Sequence, residues 1–243
     1  MYYWKCWRET RASFYVFLFL GVVLAVVPWK VAEYTVGDMG QARSFALGWL
    51  ILLFASSGVA PLAGMSFGAT GIAEEFFHKT AVFLLTKPRS IRHFVWTGWA
   101  ANTLQFLTLT GAMVLVGASL LSWRCHVPLT GRFLLSFLPG IIMAFLLSGV
   151  THLLGVLFKN GRNGFMGSLG LVIVFPLACS VVEYLWHIHL LSPLDMYPAE
   201  LSGMVRHPEL LSTLPPLWPS VGWSLVALAC PFIAQLVLER TEV

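Results

Sequence analysis

Residues 133–158 read FLLSFLPGIIMAFLLSGVTHLLGVLF, with no Asp, Glu, Lys or Arg among them. A helix rises 1.5 Å per residue, so a run of this length exceeds the roughly 30 Å hydrocarbon core of a bilayer. Such a stretch is read as a membrane span. Outward from it, five further runs have the same character. They lie at about Phe14–Trp29, Ser44–Gly68, Phe94–Trp123, Gly164–Leu190 and Leu217–Leu238. The expected fold is therefore all-α, a single polytopic domain of 243 residues with six transmembrane helices.

Composition agrees. Hydrophobic residues make up 58% of the chain and charged residues 11%, against about 25% charged in a soluble domain. So few charges cannot cover a water-exposed surface. The net charge of +4 is carried by scattered bases, which points away from nucleic acid. Cys6, Cys125, Cys179 and Cys230 are isolated, without the clustering that zinc or redox chemistry needs.

The bases instead report topology, because Lys and Arg are retained on the cytoplasmic side. With the N-terminus inside, the cytoplasmic segments hold Lys5, Arg8, Arg11, Lys79, Lys87, Arg89, Arg92, Lys159, Arg162 and Arg240. The outer segments hold Lys30, Arg43, Arg124, Arg132 and Arg206. Both termini are expected in the cytoplasm, in the inner or plasma membrane of the cell. The first run has a basic approach but no small-residue cleavage site, so it reads as an anchored span and not a removed signal.

Residues 1–13 form an amphipathic helix on a helical wheel. Tyr3, Trp4, Cys6, Trp7, Thr10 and, at the start of the span, Phe14 share an arc opposite Lys5, Arg8 and Glu9. This predicts an interfacial helix in contact with membrane lipids. Residues 191–216 form an outer segment rich in proline, with short helices expected at Ala199–Arg206 and Glu209–Leu214. Gly64 and Gly68 fall on one helix face and permit a close helix contact, either within the chain or in a dimer.

Residues 71–93 read GIAEEFFHKTAVFLLTKPRSIRH. Ile72, Ala73, Phe76, Phe77, Thr80, Phe83 and Leu84 make an apolar arc, with Glu74, Glu75, His78 and Lys79 opposite. Val82 and Leu85 fall on the polar side, as apolar residues do when a partner covers them. Pro88 ends the helix, and Lys87, Arg89 and Arg92 follow. The predicted element is a cytoplasmic docking helix over 71–88.

This segment resembles the coupling region of ATP-binding-cassette (ABC) transporter permeases of the type 2 exporter family. The matching residues are Glu74-Glu75, Leu84-Leu85, Thr86, Pro88 and Arg89-Ser90-Ile91-Arg92. The layout of N-terminal helix, six spans and helical outer segment is similar too. The chain departs from the family at Lys79-Thr80, where Gly-Thr is common, and at Gly98-Trp99, where Gly-Lys is common. The resemblance implies a permease subunit that moves its substrate with ATP hydrolysed elsewhere. Its partners would be a cytoplasmic ABC ATPase subunit and a second permease, either a copy or a paralogue. ATP and Mg would bind the ATPase, and no cofactor this chain. ATPase docking would fall to Glu74, Glu75, Phe83, Leu84, Leu85 and Arg89. No lysine here follows a glycine, so the phosphate-cradling loop of an ATPase is missing.

Two rival readings differ in class. Glu74 and Glu75 with His78 suggest an intramembrane hydrolase, although they precede a cytoplasmic basic turn and not a buried cavity. A non-transporting anchor or assembly protein is the other. For a substrate path the candidates are Asn102 and Gln105, near the inner end of span three, and Glu183 and His187, four apart near the outer end of span five. His152 is expected near the inner end of span four, too far from that pair to share a metal. The sparse charge of the spans favours an amphiphilic or apolar cargo. Topology is testable directly. Reporter domains fused after Gly40 should lie outside the cell, and fusions after Val243 inside.

Overall fold

The structure is a computed structural model that describes residues 2–70, 91–188, 192–196 and 216–241. These residues are almost entirely helical, with no strand among them. The helices are α1 (Tyr2–Met39), α2 (Gln41–Gly68), α3 (Ile91–Cys125), the short α4 (Gly131–Leu135), α5 (Leu138–Leu157), α6 (Gly161–Trp186) and α7 (Leu217–Thr241). A single 3-10 turn occupies Pro193–Met196. Six helical stretches are long and apolar enough to cross a membrane: Trp4–Met39, Gln41–Gly68, Ile91–Cys125, Gly131–Leu157, Gly161–Trp186 and Leu217–Arg240. The chain is an all-α, multi-pass membrane protein.

The spans alternate in direction, which gives the bundle two ends. At one end Cys6, Phe94, Val95, Val156 and Leu238 are buried together. This is the near end, because the 71–90 connection leaves and enters there. At the far end Phe45, Trp49, Leu121, Cys125 and Phe137 are buried together. A middle layer joins Phe14, Val59, Ala63, Phe67, Phe106, Leu109 and Ala144.

The first helix extends beyond its sequence run in both directions. Its 38 residues span about 57 Å at 1.5 Å per residue, nearly twice the bilayer core. The N-terminal segment is helical as expected and continues into the span without a break. Part of its apolar arc meets protein, since Cys6, Thr10 and Phe14 are buried, while Trp4 is 67% exposed. Thr10 returns its hydroxyl to the Cys6 carbonyl at 2.9 Å. Beyond the span, Lys30 and Glu33 pair at 2.8 Å, and the helix persists through these charges to Met39.

Gly40 alone separates α1 from α2. Its φ of 79° with ψ of 166° lies in a region essentially confined to glycine. The Gly40 N–H caps α1 on the Val36 carbonyl at 3.1 Å, and its own carbonyl takes the Ser44 N–H at 3.1 Å. One residue thus ends one helix, turns the chain and begins the next. A second tight joint links α5 to α6. Lys159 is left-handed (φ 50°), the Asn160 N–H bonds the Gly155 carbonyl at 3.0 Å, and the Asn160 side chain caps Arg162 N at 2.9 Å.

Two helices form the centre. α2 packs on α1, α3 and α5, and α5 packs on α2, α6 and α7. Their mutual contact runs through Gly64 and Gly68. A Cβ on Gly64 would collide with the Ala144 carbonyl oxygen, and one on Gly68 with the Ser148 carbonyl oxygen. Of the two roles open to this pair, the structure assigns packing inside the chain. α6 uses a similar device, with Gly164 against the Gly155 backbone and Thr151 Oγ1 donating to Ser168 Oγ at 2.7 Å. Otherwise α6 buries only Gly161, Ser168 and Cys179 in addition to Gly164.

Proline sits where the packing tolerates it. Pro28, Pro61, Pro176 and Pro231 lie inside helices, and Pro139 lies at the start of α5, where its missing N–H costs nothing. Across the α4–α5 break, Trp49 stacks among Phe45, Phe133 and Phe137 at centroid distances of 5.4, 5.5 and 5.0 Å. Its indole N–H donates to Ser136 Oγ at 3.0 Å.

Gly64→Leu or Gly68→Leu should separate α2 from α5. The expected cost is about 1–3 kcal/mol or more, because backbone and not a flexible side chain must give way. The midpoint of thermal unfolding in detergent should fall for both. Gly58→Leu, at a position with open space, should leave it nearly unchanged.

Candidate functional site

Polar side chains inside a membrane helix must find partners in the protein, since lipid offers none. Several do. Trp96 on α3 donates its indole N–H to Gln235 Oε1 on α7 at 2.9 Å. The Gln235 amide in turn donates to Glu239 Oε1 at 2.7 Å. This chain of bonds ties the near ends of α3 and α7 together and uses both halves of the glutamine amide.

Asn102 and Gln105 behave differently. Both lie on the inward face of α3, 1% and 2% exposed. Neither the oxygen nor the nitrogen of either amide has a hydrogen-bond partner among the described residues. His152 on α5 is fully buried at 0% exposure, and both of its ring nitrogens are likewise without a partner. Trp99 Nε1 and Ser148 Oγ share this condition. An unpaired buried polar group costs about 1–3 kcal/mol in proteins. Buried polar groups are rarely left so, and each instance calls for an explanation.

Three of these groups lie on α3 and two on α5. Trp99 of α3 meets Phe145 of α5 edge-on, with centroids 5.0 Å apart. From that contact Asn102 and Gln105 continue one and two turns toward the far end. Ser148 and His152 continue one and two turns along α5 toward the near end. The close contacts of Gly48 with Leu121, Gly117 with Leu52 and Gly64 with Ala144 set Gln105 near the height of Ala144, so the five groups overlap within about 12 Å of the bundle. A set of amides, indole, hydroxyl and imidazole supplies both donors and acceptors and carries no fixed charge when the imidazole is neutral. It suits a polar or amphiphilic solute, or water, better than a bare ion.

The other sequence candidates lie elsewhere. Glu183 is exposed on α6 toward the far end, and α6 has no substantial packing with α3. His187 lies past the end of α6 in the left-handed conformation (φ 54°). Its backbone N–H bonds the Glu183 carbonyl at 2.9 Å, so the helical register that would bring the two side chains onto one face ends at Trp186. Asn102 and Gln105 are therefore not brought together with Glu183 and His187. Glu74, Glu75, Phe83, Leu84, Leu85 and Arg89 lie outside the described residues. So do the docking helix over 71–88 and the short helices expected at Ala199–Arg206 and Glu209–Leu214.

Sequence reading put His152 near the inner end of span four and weighed it only as a third metal ligand for Glu183 and His187, not as a partner of Asn102 and Gln105. Its complete burial, level with the glycine-lined turns of α5, is a tertiary fact. Gln235 resembles Gln105 in sequence but is paired.

Opposite stability effects should follow. Gln235→Leu removes the acceptor of Trp96 and should destabilise the protein by about 1–3 kcal/mol. Asn102→Leu and His152→Phe remove unpaired polar atoms and should be neutral or stabilising. Thermal unfolding of the three variants in one detergent checks the contrast.

Comparison with family models, with curated proteins and with solved structures finds no match to this chain.

Proposed function

We propose that this chain is the membrane permease subunit of an ABC exporter, passing an amphiphilic substrate across the membrane with ATP hydrolysed on a separate subunit. The observation that carries the reading is the set of unpaired, buried polar side chains, Asn102 and Gln105 on α3 and Ser148 and His152 on α5, inside an otherwise apolar bundle. Ionisable and polar groups buried within spans mark substrate or ion routes by default. The resemblance of residues 71–92 to an exporter coupling region supports the assignment to this class.

In this reading the near end is cytoplasmic, following the bias of Lys and Arg. The docking helix over 71–88 and the basic turn after it engage the ATPase through Glu74, Glu75, Phe83, Leu84, Leu85 and Arg89, and ATP and Mg bind the ATPase subunit. Closure of the ATPase pushes on the start of α3. The near-end cluster supports the transmission, because Phe94 and Val95 are packed with Cys6 of α1, Val156 of α5 and Leu238 of α7. The Trp96–Gln235 bond adds a second link to α7. One six-span bundle supplies half a pathway, with a second copy or a paralogue supplying the rest.

The test is co-purification with the ATPase subunit and measurement of its hydrolysis in reconstituted membranes. Leu85→Asp and Arg89→Glu should each lower assembly at least tenfold and abolish substrate-stimulated hydrolysis. Asn102→Leu should keep assembly but lower transport. If both docking variants assemble and hydrolyse ATP normally, the permease reading is wrong. Loss of activity on Glu75→Gln with assembly intact would favour an intramembrane hydrolase instead.

A further inference from the structure

Along the outer face of α1, toward the far end, runs an open groove of about 470 Å³. Val22, Val26, Val27 and Val31 form its apolar bed, and Lys30 and Tyr34 stand toward its far rim. Among the described residues its whole lining belongs to α1, and Val22, Val27 and Tyr34 are 46%, 40% and 79% exposed. Pro28 accounts for the hollow. It is buried on the opposite side of the helix, where a Cβ on Gly48 of α2 would meet its carbonyl oxygen at 3.1 Å. A proline inside a helix removes one ladder bond, and its ring pushes off the preceding turn. The helix then bends away from the proline and is concave on the other face, which is the face that carries the valines.

The composition of the groove selects its occupant. From Val22 to Tyr34 it runs about 18 Å along the helix, close to the roughly 15 Å of hydrocarbon in one leaflet plus the first polar layer. Its polar groups lie only at the far end, beyond the apolar run that stops at Trp29. There the Lys30 ammonium sits over the Trp29 ring, 4.3 Å from its centroid, and donates to Glu33 Oε2 at 2.8 Å. Both side chains remain open to a ligand, with exposures of 50% and 38%. An ammonium has three hydrogens to donate and a carboxylate two oxygens to accept. The pair therefore takes a phosphate on the lysine and a primary ammonium on the glutamate, each by a charge-assisted bond. A choline headgroup has no N–H for Glu33, and an anionic headgroup without an amine would set its charge beside that carboxylate. A second helix is a poor fit, because helices in lipid approach through small residues and the lining has none.

We propose that this groove binds one acyl chain of a phosphatidylethanolamine from the far leaflet, with its phosphate on Lys30 and its ammonium on Glu33. The site is independent of any ATPase partner and stands whether or not the chain is an exporter subunit.

The test uses the full chain in phosphatidylcholine nanodiscs containing a trace of phosphatidylethanolamine or phosphatidylcholine with the same mid-chain diazirine. After illumination, labelled peptides are mapped by mass spectrometry. The ethanolamine probe should label residues 22–31 at least threefold more than the choline probe. Both probes should label the α6 surface around Ile173 and Leu177, 64% and 63% exposed, equally. Glu33→Gln should bring the ethanolamine probe down to the choline level, and Lys30→Gln should cut its labelling of the groove at least threefold. Val27→Trp, which fills the groove, should cut labelling by both probes at least fivefold and leave α6 unchanged. The proposal is overturned if the two probes label the groove alike, or if Glu33→Gln keeps the ethanolamine preference. It is equally overturned if Lys30→Gln and Val27→Trp both label like the natural chain. A Val23→Cys chain that forms disulfide-linked dimers on mild oxidation, with the groove unlabelled in the natural chain, would place a second copy there instead. Should Val27→Trp fail to fold, the ethanolamine-to-choline ratio of Glu33→Gln decides alone.

Discussion

Everything in this bundle hangs on the approach of two backbones. Lipid tails are as apolar as leucine, so helices in a membrane gain little by hiding side chains from their solvent. They associate where small residues allow close van der Waals contact. Gly64 and Gly68 bring α2 against the carbonyls of Ala144 and Ser148 on α5. The remaining helices then have surfaces to dock on. α1 and α3 pack on each other and on α2, whereas α6 and α7 attach mainly to α5. The bundle is two sets of helices sharing one wall, with α3 also reaching α5 and α7.

Polar groups divide along the same architecture. Those that join neighbouring helices at the ends of the bundle are paired, as Trp49 is with Ser136 and Trp96 with Gln235. Asn102, Gln105, Ser148 and His152 on α3 and α5 are not, although Thr151 of α5 is paired with Ser168. In a medium of low dielectric a satisfied pair is strong and an unsatisfied group is expensive. Trp29 Nε1 and Ser44 Oγ toward the far end also lack partners among the described residues, so pairing is set by each side chain's own neighbours. A purely structural bundle has no physical reason to keep Asn102, Gln105 and His152 where leucine would pack at lower cost.

Much of this was legible in the chain. Length and apolarity suffice to locate spans, because a bilayer accepts so few backbone solutions. The four-residue spacing of Gly64 and Gly68 announced a close contact, but only the fold shows which helix supplies it. The extent of α1 was hidden by Lys30 and Glu33, whose charges read as a loop. In the structure they neutralise each other one turn apart and the helix runs on. The phase of α6 at its end was also hidden, since spacing alone cannot say that the helix stops between Glu183 and His187. Burial of Asn102 against pairing of Gln235 depends on which neighbour each amide meets, and local sequence does not encode neighbours.

The aromatic group around Trp49 has a mechanical meaning. At the far end one glycine joins α1 to α2, and four rings with an indole hydrogen bond clamp α2 to the start of α5. By geometry alone, the displacement from a tilt about such a joint grows with distance along a helix, so a given angle at Trp49 corresponds to a larger displacement at the Gly68 end of α2 than at Gln41.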